Sequence, residues 1–84
     1  MSATPPSWLA KRVLLAPSAV RRAAARRAGP AEAWMLRQPL EVRRSYVRDV
    51  LERGGGDELE QAWMLRQSDA VRHSYVEEVL GVPR

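Results

Sequence analysis

Few side chains in this sequence have the type and spacing to do chemistry. There is no cysteine, which removes thiol catalysis, cysteine-ligated zinc and a disulfide framework. One histidine, His73, leaves little for a metal site or a histidine-based proton relay. Ser45 and Ser74 each precede a tyrosine in matching contexts. Neither stands in a His–Asp arrangement that would activate it, and a serine without a base is a poor nucleophile. Both serines read as small residues at helix contacts. Glu77 and Glu78, with Asp49 as a partial counterpart, fall on a solvated helix face rather than forming an acid/base pair in a cleft. The expectation is a non-enzymatic protein that needs no metal and no cofactor.

Arginine is what remains. Thirteen of the fourteen basic residues are arginine, and residues 1–31 hold Lys11, Arg12, Arg21, Arg22, Arg26 and Arg27 with no acid. Such a segment can dock on an acidic protein surface or neutralise phosphates with a steep salt dependence. Four further arginines recur in pairs, Arg37 with Arg66 and Arg43 with Arg72. They have two readings: staples that hold helix ends together, or a pair of similar pockets for an anionic group. Arg37 and Arg66, each followed by glutamine, stand where a first helix should end and can bind its last carbonyls. Arg43 and Arg72 fall inside an apolar arc, where a guanidinium must snorkel or find a carboxylate or helix-terminal carbonyls.

The elements that position these residues come from an internal duplication. Residues 33–52, AWMLRQPLEVRRSYVRDVLE, match residues 62–81, AWMLRQSDAVRHSYVEEVLG, at 13 of 20 positions with an offset of 29. Repeats of this period usually encode one supersecondary unit that buries its apolar face on a neighbour. Each copy reads as two helices joined by a tight turn. The second helix starts at Pro39 or at Ser68-Asp69 and ends at Gly54 or Gly81, a residue suited to the left-handed conformation that closes a helix. Asp57-Glu58-Leu59-Glu60 suggests a capping box, and Gly54-Gly55-Gly56 a flexible connection. The fold class is therefore all-α: two tandem helical hairpins, residues 31–56 and 57–84, preceded by a basic Pro/Ala/Arg-rich helical arm over residues 1–30. A shift of 22 sets Leu14 on Leu36, Pro17 on Pro39 and Val20-Arg21-Arg22 on Val42-Arg43-Arg44. The arm is either a degenerate third copy or a basic helix with accidental matches.

Apolar periodicity places Val42, Tyr46, Val47, Val50 and Leu51, and equally Val71, Tyr75, Val76, Val79 and Leu80, on one helix face. Trp34-Met35-Leu36 and Trp63-Met64-Leu65 cover so much of their helices that both should lie sandwiched between others. The tryptophans and tyrosines of the repeats are expected in the core. Trp8, outside the clear repeat, either anchors the arm on a partner or packs over the end of the stack.

Charge grades along the chain. Residues 32–56 carry five basic against four acidic residues, and residues 57–84 three against six. The expected function is a protein-interaction module or accessory subunit docking through its repeats and its basic arm onto an acidic protein surface. The alternative is a small nucleic-acid-associated protein making non-specific phosphate contacts through the arm. Specific duplex reading is not expected, because the second unit is acidic and no Asn or Gln is spaced for base contacts. Self-association, acidic repeat against basic arm, is a third reading. No apolar run approaches the roughly 20 residues of a membrane-spanning helix, and Ala23-Ala24-Ala25 is too weakly apolar for interfacial insertion. The expected location is the cytoplasm, with organellar import as the alternative because residues 1–31 share the composition of a transit peptide.

Overall fold

The computed structural model describes residues 7–81, with side chains from Lys11 onward. The described residues are all-α, in six helices: α1 (Ser7–Leu14), α2 (Ser18–Ala25), α3 (Pro30–Leu36), α4 (Leu40–Tyr46), α5 (Asp57–Leu65) and α6 (Asp69–Tyr75). α4 runs on into a π-helical turn, Val47–Leu51, and α6 into the equivalent turn Val76–Leu80.

Consecutive helices are joined into three pairs, here called hairpins, by one turn geometry, and α3 and α5 pack chiefly on elements of the neighbouring pairs rather than on the helix that follows them. Each first helix ends on a leucine, Leu14, Leu36 or Leu65, and two tight-turn residues follow. The residue that then starts the second helix is extended, with φ/ψ of −58°/159° at Pro17, −59°/158° at Pro39 and −64°/160° at Ser68. Proline reaches this conformation because its ring fixes φ. Ser68 reaches it without a ring and accepts the Val71 N–H on its hydroxyl at 3.3 Å, as expected of an N-cap. The basic N-terminal segment is helical, and it shares the turn geometry of the duplicated units rather than standing apart from them.

Hairpin boundaries follow the backbone freedom of glycine. Gly54, Gly55 and Gly56 all have positive φ, and the Gly55 N–H returns to the Val50 carbonyl at 2.8 Å to close α4. Gly81 closes the last turn at φ 69°, ψ 20°, in the left-handed conformation. The capping box expected at Asp57 does not form: Gly56 is the N-cap, no side chain caps it, and Glu60 turns to the Tyr46 hydroxyl instead. Asp57, Glu58 and Glu60 still place acids at the positive end of the α5 dipole.

The α3–α4 hairpin is the centre of the molecule. It supplies Trp34, Met35, Leu36, Val47 and Val50 to a core completed by Leu14 and Trp63. α2 and α1 pack on α3 and on the end of α4 from one side, while α5 packs on the π-helical turn of α4 and the turn of α6 packs on α3. The sandwich expected for both tryptophan helices is thus realised for α3 alone. Among the described residues no helix covers the outer side of α5, and Leu65 is 73% exposed where its counterpart Leu36 is 6% exposed.

Candidate functional site

Two interfaces join the hairpins, and each is an exchange of equivalent contacts. Between the α3–α4 and α5–α6 hairpins, the Trp34 indole N–H donates to Ser74 Oγ at 2.9 Å and the Trp63 indole N–H donates to Ser45 Oγ at 3.0 Å. Each tryptophan also meets the partner hairpin's tyrosine edge-on. Trp34 and Tyr75, and Trp63 and Tyr46, both have ring centroids 5.2 Å apart, with interplanar angles of 80° and 82°.

The serine hydroxyls pass their own protons onward, Ser45 to Asp49 and Ser74 to Glu78. Arg48 donates to Asp49 at 2.9 Å, and this bond, with the Ser45 hydroxyl behind it, holds the Asp49 carboxyl below the usual carboxylate range. The Ser74 hydroxyl, followed by Arg37 at 3.2 Å, does the same for Glu78. Each serine is thus held between a buried indole and a carboxylate. Reading them as small spacers missed this. The available signal was that a core tryptophan needs an acceptor for its N–H, and an i+4 acid follows each serine. The symmetry is incomplete at Tyr46, which donates to Glu60 at 2.6 Å, whereas the residue matching Glu60 is Ala31. Burial, then the Glu60 contact, raises the Tyr46 hydroxyl well above its ordinary pKa.

The second exchange joins the α1–α2 and α3–α4 hairpins through Arg21 and Arg43. Arg43 donates from Nε to the Gln38 carbonyl of its own turn at 2.9 Å and from Nη1 to the Leu14 carbonyl that ends α1. Arg21 donates from Nε to the Ala16 carbonyl of its own turn at 3.1 Å and from Nη1 to the Leu36 carbonyl that ends α3 at 2.8 Å. Ala16 matches Gln38 and Leu14 matches Leu36 at the offset of 22. Each arginine thus staples its own turn and caps the first helix of the other hairpin, where orphan carbonyls carry the negative end of the dipole. Arg43 is 6% exposed; burial, with the charges of Arg21 and Arg44 behind it, lowers its pKa.

The other candidate residues are dispersed. Arg37 pairs with Glu78, and the cap expected of it falls to Gln38, whose amide donates to the Trp34 carbonyl at 2.9 Å; Gln67 does the same for Trp63. Arg66 is exposed and adds a coulombic pull on Asp49, mirroring Arg37 on Glu78. Arg72, the counterpart of Arg43, pairs with Asp69 in its own helix at the surface. Arg37, Arg43 and Arg72 are thus each bonded to groups of the protein itself. Lys11 reaches Glu52 at 2.9 Å, which ties α1 to the end of the central hairpin. Arg12 is exposed, and the Trp8 side chain lies outside the described residues.

Arg22, Arg26 and Arg27 are exposed, and the first two stand together at one place. Ser18, Arg21, Arg22, Ala25, Arg26, Leu36 and Arg37 line an open cleft where α2 meets the end of α3. Its floor is apolar at Ala25 and Leu36, and its rim is cationic. Among the described residues no group of three or more His, Asp or Glu stands together in a metal-holding arrangement, and no helix is long and apolar enough to cross a membrane. Compared with known proteins, the chain matches no family model, no curated protein and no solved structure.

Proposed function

We propose that the protein is a non-enzymatic interaction module, or accessory subunit, that docks an acidic segment of another protein on the cleft beside α2. The observation that carries this reading is the cleft's make-up: exposed Arg22 and Arg26 one helical turn apart at the rim, over an apolar floor of Ala25 and Leu36. An amphipathic acidic helix offers both complements, carboxylates for the rim and a small apolar side chain for the floor. A bare phosphate backbone uses only the rim. The remaining polar groups favour a binding role over a catalytic one, since both repeated serines are committed to tryptophans and carboxylates. His73 is exposed on the outer side of α6. A cytoplasmic setting suits such a module.

The test is fluorescence anisotropy with a labelled acidic amphipathic peptide, a charge-neutral version of it, and a short DNA duplex. Binding of the acidic peptide alone is expected, weakened about tenfold by Arg22→Glu with Arg26→Glu, as two exposed ion pairs of up to about 1 kcal/mol each would give. Duplex binding that falls steeply between 50 and 200 mM salt, without peptide binding, would replace this reading with the phosphate one.

A further inference from the structure

The α5–α6 hairpin carries the arginine face of the central hairpin, and among the described residues no neighbouring hairpin covers it. In the central hairpin, Leu36 is buried, its carbonyl accepts from Arg21, and Arg43 reaches across to the Leu14 carbonyl. The equivalent residues of the last hairpin are the same types, Leu65 and Arg72, preceded by the same Trp-Met and joined by the same Arg-Gln turn. They stand open: Leu65 is 73% exposed, the Arg72 side chain 41% exposed, and Leu80, matching half-buried Leu51, 59% exposed.

This face is built to meet a copy of itself. The contact it would repeat is reciprocal, because Arg21 and Arg43 occupy matching positions in two hairpins and each caps the other's first helix. A surface whose partner is its own equivalent forms an isologous two-fold interface when two copies meet. We therefore propose that two molecules of this protein pair through their α5–α6 hairpins. In the pair, each Arg72 leaves Asp69 for the Gln67 carbonyl of its own turn and the Leu65 carbonyl that ends α5 of the second copy, and the two Leu65 side chains are covered.

The assembly stops at two. A hairpin extends the stack through its other face by the tryptophan–serine–tyrosine exchange, and the α1–α2 hairpin has lost those residues, with Arg12, Ala23 and Ala24 at the positions of Trp34, Ser45 and Tyr46. The contact differs from the acid-to-base association that the charge gradient suggests, because its groups are leucines, an arginine and backbone carbonyls. It is also independent of what the α2 cleft binds.

The experiment is sedimentation equilibrium of the full chain from about 1 µM to about 1 mM, in 0.1 and 0.5 M salt, with Leu65→Glu and Arg72→Ala beside the unaltered protein. The expected mass rises from monomer to dimer and no further, at both salt concentrations, and each substitution raises the dissociation constant at least about tenfold while leaving the helical circular dichroism of dilute protein unchanged. A monomer at every concentration overturns the proposal. So does a dimer indifferent to both substitutions, a dimer abolished by 0.5 M salt, or growth beyond two copies.

Discussion

Arg43 and Arg72 are one residue in two settings, and replacing each by alanine separates a buried staple from a surface charge. Arg43 makes two hydrogen bonds, to the Gln38 carbonyl of its own turn and to the Leu14 carbonyl that ends α1, from a residue that is almost wholly covered. Hydrogen bonds from a charged donor contribute roughly 1.5–3 kcal/mol each, so their gross loss is roughly 3–6 kcal/mol. Relief of guanidinium desolvation, and water reaching the freed carbonyls, offset part of that loss, leaving a net cost of roughly 2–4 kcal/mol. Arg72 pairs with Asp69 at the surface, and such pairs contribute about 0–1 kcal/mol. In a domain of this size 1 kcal/mol moves the melting midpoint by about 4–8 °C. Thermal unfolding followed by circular dichroism at a few micromolar should show Arg43→Ala lowered by about 8–30 °C and Arg72→Ala by at most about 8 °C. Equal shifts in the two variants would refute the assignment of Arg43 as the staple between hairpins.

The tryptophan exchange predicts a matched pair of effects. Ser45→Ala and Ser74→Ala should each destabilise by roughly 1–2 kcal/mol in urea unfolding, because each leaves an indole N–H without its acceptor; a large cost in one and none in the other would show the exchange to be one-sided. Acid should also weaken the fold through Asp49 and Glu78. Both carboxyls titrate lower when folded, so their ionisation favours the fold above the ordinary carboxylate range of about 4, and the contribution is lost as pH falls through their lowered folded values. Urea midpoints should hold from pH 7 to about pH 5 and decline below about pH 4, and Asp49→Asn with Glu78→Gln should flatten that decline. An unchanged acid slope in the double variant would remove these two groups from the account.

Much of the fold was legible in the sequence because one unit is written twice. The identities between residues 33–52 and 62–81, with prolines and glycines at the turns, specify an all-α fold and where its helices break, and Trp34 and Trp63 are core as their bulk implies. Ser68 caps α6 and Gly81 closes it through local chemistry alone. What stayed hidden depends on neighbours in space. Arg21, Arg43 and Arg72 share one local pattern, yet only contact between hairpins decides that two of them cap a neighbour's helix while the third faces solvent. The apolar spread around α5 predicts a sandwich that needs a further hairpin, and the described residues form three. Asp57 looked like a cap, but Gly56 at φ 109° already begins the helix, which leaves Glu60 free for Tyr46. The six basic residues before position 32 look alike in the sequence and divide in the structure: Lys11 and Arg21 hold the fold together, while Arg12, Arg22, Arg26 and Arg27 are exposed.

That division is the central claim, and hydrogen exchange at the arginine Nε–H groups, read by nuclear magnetic resonance on the full chain, tests it most directly. Arg21 and Arg43, whose Nε–H groups are bonded to the Ala16 and Gln38 carbonyls, should exchange slowly enough to give persistent signals at neutral pH. Arg22, Arg26 and Arg27 should exchange at the rate of free arginine, and acidic peptide should shift the Arg22 and Arg26 signals while leaving Arg43 in place. Uniformly fast exchange across all five would contradict the account.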